Sequence, residues 1–170
     1  WAADNKLGVR FLCGDVHLGL QEEYCSQQDW IEIFQAAGMK PPQFYYLMPG
    51  WHFPRNIYTD MCLPTESSMR RMEFRYVQPK QLIRKERDFL RDTIRNGVFP
   101  VFANAFLMEW HRKPEVFQNH RRASYVDMTA DKGHQAVALV CYNNGFVCKK
   151  PLFSNGSVAD IYEYGEQLRH

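Results

Sequence analysis

An α+β domain is the fold class this chain predicts, and three observations carry the prediction. Trp30, Ile33, Phe34 and Ala37 recur at i, i+3, i+4 and i+7, which is one apolar stripe of a helix. Residues 135–142 are an almost unbroken apolar run, followed by an Asn143-Asn144-Gly145 turn and a fresh apolar start at Phe146. The 170 residues are 45% hydrophobic, 15% aromatic and 24% charged, which is enough material for one well-packed core. The chain 1–170 therefore reads as a single domain, with no internal repeat, low-complexity tract or linker.

The same composition excludes a disordered tail, a collagen-like fibre and a coiled-coil rod. A net charge of +2 does not by itself point to nucleic acid or an anionic membrane. No apolar run reaches the roughly 18–20 residues that span a bilayer, so no membrane partner is expected. The first residues lack the basic-then-apolar layout of a signal peptide. The five cysteines, Cys13, Cys25, Cys62, Cys141 and Cys148, are odd in number and irregularly spaced, with no CxxC. No structural zinc site, metal or cofactor is expected, and reduced thiols in a compartment such as the cytoplasm are favoured. Cys141 and Cys148 flank the Asn-Asn-Gly turn and are placed to face each other across a hairpin. Cys13, Cys141 and Cys148 also read simply as small apolar core residues.

Along the chain, residues 8–13 read as a short buried strand and residues 14–20 as a loop. A helix is expected from near Cys25 to Ala37, stopped by Gly38 and by Pro41-Pro42. Residues 44–48 form a second apolar run, ended by Pro49-Gly50. Residues 51–77 read as loop with minor helix. A helix is expected over 79–96, with Leu82, Ile83, Phe89, Leu90 and Ile94 on one side. Its opposite side, rich in Lys and Arg, reads as a solvated face rather than a phosphate-binding patch. Residues 98–106 are a strand candidate despite Pro100, and 110–131 a long loop. Residues 158–170 read as a short terminal helix.

Two residues carry chemistry. Cys25 stands at the apparent start of a helix, where unpaired N–H groups and the helix dipole favour a thiolate and hold an oxyanion. His134 follows Gly133 at the mouth of the apolar strand, a rigid mount for a base. These segments resemble the papain-like cysteine peptidases in the broad sense. The matching pieces are Gln21-x-x-x-Cys25-Ser26, the helix end Phe34-Gln35-Ala36-Ala37-Gly38, Leu90-x-x-x-Ile94-x-Asn96-Gly97-x-x-Pro100-Val101, and the run from Gly133 to Tyr142. The resemblance spans about 20–156 in short pieces. It implies a papain-like fold, an N-terminal helical part packed on a mainly antiparallel sheet, with Cys25 as nucleophile and His134 as base. It also makes Gln21 the oxyanion residue, closer to the cysteine than the family has it, and Asn155 the residue that orients the imidazole. Where the family carries that Asn or Asp, this chain has Lys149-Lys150-Pro151. Asn143, Asn144, Asp127 and Asp131 are further options, and a working dyad or an inactive scaffold are the others. The implied function is thiol-dependent acyl hydrolysis or transfer of peptidase, deamidase or transglutaminase type, on a protein or peptide substrate.

Two other readings compete. Asp15-Val16-His17 resembles the first motif of calcineurin-like metallophosphoesterases, where a carboxylate and an imidazole two residues apart hold one metal. The later motifs of that family are missing from 49–51, 103–106 and 119–121. The third reading is a non-catalytic module. Its Arg-rich helix, Trp51, Trp110 and basic loop would bind protein or, less in keeping with the net charge, RNA.

Overall fold

The structure is a computed structural model that describes residues 1–15, 24–72, 83–112, 125–127, 137–141 and 147–151. The chain order is β1 (Ala2–Asp4), α1 (Val9–Leu12), α2 (Gln27–Ala36), β2 (Gln43–Met48) and β3 (Asn56–Tyr58). A 3-10 helix (Glu66–Arg71), α3 (Glu86–Arg95), α4 (Phe99–Phe102), β4 (Ala105–Glu109), β5 (Tyr125–Asp127), β6 (Val137–Cys141) and β7 (Val147–Pro151) follow. Among the described residues the strands form one antiparallel sheet in the order β1-β4-β2-β3-β5-β6-β7. The fold class is α+β. No helix among the described residues is long and apolar enough to cross a membrane.

The centre of the sheet is where the core lies. In β2 and β4 the register pairs Phe44 with Met108 and Tyr46 with Phe106. All four side chains are buried, while Leu107 between them is exposed, as the period of two in a strand requires. Tyr46, Tyr58, Phe99 and Phe106 meet edge to face, with ring centroids 5.5–6.3 Å apart. Val9 of α1, Leu90 of α3 and Phe99 of α4 close the same cluster from the helical side.

Four sequence expectations change. Residues 9–12 are helical, not a strand. A run this short has no periodicity to separate the two, and one local and one long-range hydrogen bond decide. The Arg10 N–H donates to Asn104 Oδ1 at 3.0 Å, and the Gly8 N–H to the Asn5 carbonyl at 2.8 Å. The stretch 98–106 divides into α4, with Pro100 in its first turn where no N–H is needed, and the start of β4. The 110–131 loop contains β5, and the 51–77 loop contains β3 and the 3-10 helix. The helix over 79–96 is observed as Glu86–Arg95; residues 73–82 lie outside the described residues.

The β6–β7 hairpin is present, and β2 covers the expected apolar run. Its register sets Cys141 opposite Val147 and Cys148 opposite Val140, so the two cysteines are not cross-strand partners. The expected terminal helix lies outside the described residues.

Candidate functional site: a thiol at the entrance to α2

Helix α2 starts two residues later than the sequence reading placed it. Ser26 is the N-cap, and Cys25 is the residue before it. The Ser26 Oγ accepts the Asp29 N–H at 3.2 Å, and Asp29 Oδ2 accepts the Ser26 N–H at 2.7 Å. This reciprocal capping box takes two of the donors that the sequence argument had reserved for a thiolate or an oxyanion. The Ser26-x-x-Asp29 pattern was the signal for it. Gly38, at φ +70°, closes the helix at the expected place, in a conformation that favours glycine.

Cys25 is half-buried, and its backbone forms a parallel bridge to Asn5. Asn5 is fully buried and rigidly held. Its Nδ2 donates to the carbonyls of Val101 and Ala103, both at 2.8 Å, and its N–H to the Asn104 carbonyl at 3.0 Å. Gly8 lets these segments approach: a Cβ there would sit 2.9 Å from the Asn5 carbonyl oxygen and 3.0 Å from the Asn104 Cα. The thiol is thus tied to the loop before β4 through main-chain contacts. Tyr24 beside it stacks on Phe11 at 5.5 Å.

Lys6 supplies the local positive charge. Its Nζ lies 2.5 Å from Asp29 Oδ2. That hydrogen bond raises the Lys6 ammonium above its ordinary range, and the charges of Cys25 and Glu32 add to the effect. The same bond, with the Ser26 cap, lowers Asp29 to about 2. Lys6 is therefore held as a cation by Asp29, on the first turn of the helix that Cys25 precedes, and is not a base. Sequence reasoning missed Lys6 and Asn5, because neither lies in a motif. The other two described thiols are in different surroundings. Burial pushes Cys13 up to about 11, with Glu86 adding to the shift, and burial also raises Cys62.

Of the four residues proposed for catalysis, the structure describes Cys25. Gln21, His134 and Asn155 lie outside the described residues, as does His17 of the phosphoesterase motif. Asp15, the first residue of that motif, follows helix α1 rather than the strand the motif requires, and it is fully buried. The sheet order sets four strands between β1, beside Asn5 and Cys25, and β6, which His134 precedes. Along a flat sheet that is roughly 20–25 Å.

Three arginines on and beside the exposed face of α3 are paired with acids. Arg84 bonds Asp92 at 2.8 Å, Arg91 bonds Asp88 at 3.1 Å, and Arg95 reaches Glu66 at 2.6 Å. Cations engaged this way offer little to a phosphate backbone. No protein-family model, curated protein or solved structure matches the chain.

Proposed function

We propose that this protein performs thiol-dependent acyl chemistry, with Cys25 as the nucleophile, on a papain-like variant of the α+β fold. The Cys25 sulfur attacks the carbonyl carbon of an amide, thioester or isopeptide bond. The leaving group departs with a proton, and the resulting thioester is released by water or by an amine. The observation that supports this is the setting of Cys25. It is half-buried and seated by the Asn5 bridge at the mouth of a capped helix whose first turn carries the Lys6–Asp29 ion pair. Burial raises the thiols of Cys13 and Cys62, which disfavours their thiolates.

In this reading His134 is the base, Asn155 its orienting residue and Gln21 an oxyanion donor. Val137 and Pro151 are register partners, and His134 and Asn155 flank that pair along the chain. The proposal requires the sheet to coil strongly enough to bring its β6–β7 edge round toward α2, in the sense that strand twist favours.

Alkylation by iodoacetamide near neutral pH, with modified peptides mapped by mass spectrometry, tests it. Cys25 is expected to react about tenfold faster than Cys62, and His134→Ala to remove most of that difference. Equal rates at the two thiols, together with unchanged hydrolysis of acyl substrates in Cys25→Ala, would overturn the reading.

A further inference from the structure

Glu86 is the first residue of α3 and is 1% exposed. Its Oε1 accepts a hydrogen bond from Asn104 Nδ2 at 2.8 Å. Its Oε2 is buried and has no hydrogen-bond partner among the described residues. The carboxamide that serves it is fully used. Asn104 Nδ2 also donates to the Pro49 carbonyl at 3.0 Å, and Asn104 Oδ1 accepts the Arg10 N–H. The same junction carries the Ile83 N–H to Cys13 carbonyl bond at 2.8 Å. One buried acid therefore sits where α1, α3, the Pro49 turn and the loop before β4 converge.

Among the described residues, the charges facing it do not neutralise it. From α1 comes Arg10, whose guanidinium is already engaged by Asp4 Oδ2 of β1 at 3.2 Å. The turn after α1 brings the Cys13 thiol and the fully buried Asp15. The 3-10 helix brings Glu66, which Arg95 holds at the far end of α3. Helix α4 has no titratable side chain. Around Glu86 itself, Arg84 and Asp88 are paired with Asp92 and Arg91, while Lys85 and Arg87 complete the set. An ionised carboxylate with one unserved oxygen is costly to bury, and a neutral carboxyl far less so.

We infer that Glu86 is a proton latch: its neutral carboxyl keeps the α1–α3–Asn104 junction closed, and its ionisation loosens that junction. Burial pushes Glu86 up to about 7, with Asp15 adding to the shift, against the opposing effects of Asn104 and Arg10. A carboxyl raised above its ordinary value near 4.5 stabilises the fold fully below that value. The stabilisation is lost as pH rises through about 7. The entrance to α3 is then less securely held in mildly alkaline solution than in mildly acidic solution.

The test uses the full chain. Urea unfolding is followed between about pH 5 and about pH 8 for wild type and Glu86→Gln. In wild type the unfolding constant is expected to rise about a hundredfold across that interval beyond any rise in the variant. In parallel, the side-chain carboxyl carbon of Glu86 is titrated by NMR in wild type, assigned through its own backbone. An inflection near neutrality, with faster exchange of the Asp88 and Phe89 amides above it, supports the latch. Identical slopes in the two proteins, or a carboxyl that titrates at its ordinary value, overturns it. If Glu86→Gln fails to fold, the wild-type titration alone decides.

Discussion

Helices α2 and α3 are each ten residues long, and each carries an acid in its first turn. Asp29 of α2 lies at the surface, bonded to Lys6 and to the Ser26 cap, and is held at about 2. Glu86 of α3 lies in the core with one oxygen served by Asn104 and is driven to about 7. The helix dipole favours a negative charge at both places. Desolvation outweighs the dipole at α3, because among the described residues no counter-charge is dedicated to Glu86. At α2 an ammonium in contact and partial hydration reinforce the dipole. The lesson is that a first-turn acid takes its role from what lies beyond the helix. The exposed one caps and organises the thiol's surroundings, whereas the buried one becomes a titrating element inside the fold.

Removing the partner of the buried acid breaks this comparison most severely. Asn104→Ala strips hydrogen bonds from Glu86, from the Pro49 carbonyl and from the Arg10 N–H at a fully buried position. It is expected to destabilise the protein by about 3–5 kcal/mol in urea unfolding, because buried polar groups are left unserved. A loss below about 1 kcal/mol would mean that water replaces the carboxamide easily. At the other helix, Ser26→Ala removes one half of the capping box and is expected to cost about 1 kcal/mol by the same measurement. It should also change the alkylation rate of Cys25, the residue the cap adjoins. The smallest effect belongs to Lys6→Met. It should let Asp29 return from about 2 toward its ordinary 3.8, read by NMR titration. The sign follows from the depressed carboxyl. Its stabilisation is present above 3.8 and is lost as pH falls through about 2, so Lys6→Met should flatten stability over that acid interval.

Much of the fold was legible where one local signal dominated. The stripe from Trp30 to Ala37 and the Gly38 stop located α2, and the apolar run after residue 135 located β6. The short elements were not. Val9–Leu12 is a single turn with no period, and its helical form depends on a bond to Asn104, far away along the chain. Pro100 marked a break in residues 98–106 that a hydrophobic count passes over. At the candidate site, Cys25 was legible as a thiol near a helix start. Lys6 and Asn5 were not, since they meet this stretch through an ion pair with Asp29 and a bridge to Cys25, across some twenty residues of chain. Glu86 was not singled out, because composition cannot tell a buried first-turn acid from an exposed one.

By itself the sequence determined the class of the domain, its main helix and its terminal hairpin, because helical and strand periods are written in neighbouring residues. It also singled out Cys25 as a thiol near a helix start, whose chemistry is local. Tertiary structure alone decided that residues 9–12 coil rather than extend, that Lys6 pairs with Asp29, and that Glu86 is buried against Asn104. Those outcomes depend on which distant groups exclude water from one another, and desolvation is a property of the packed molecule rather than of any stretch of chain.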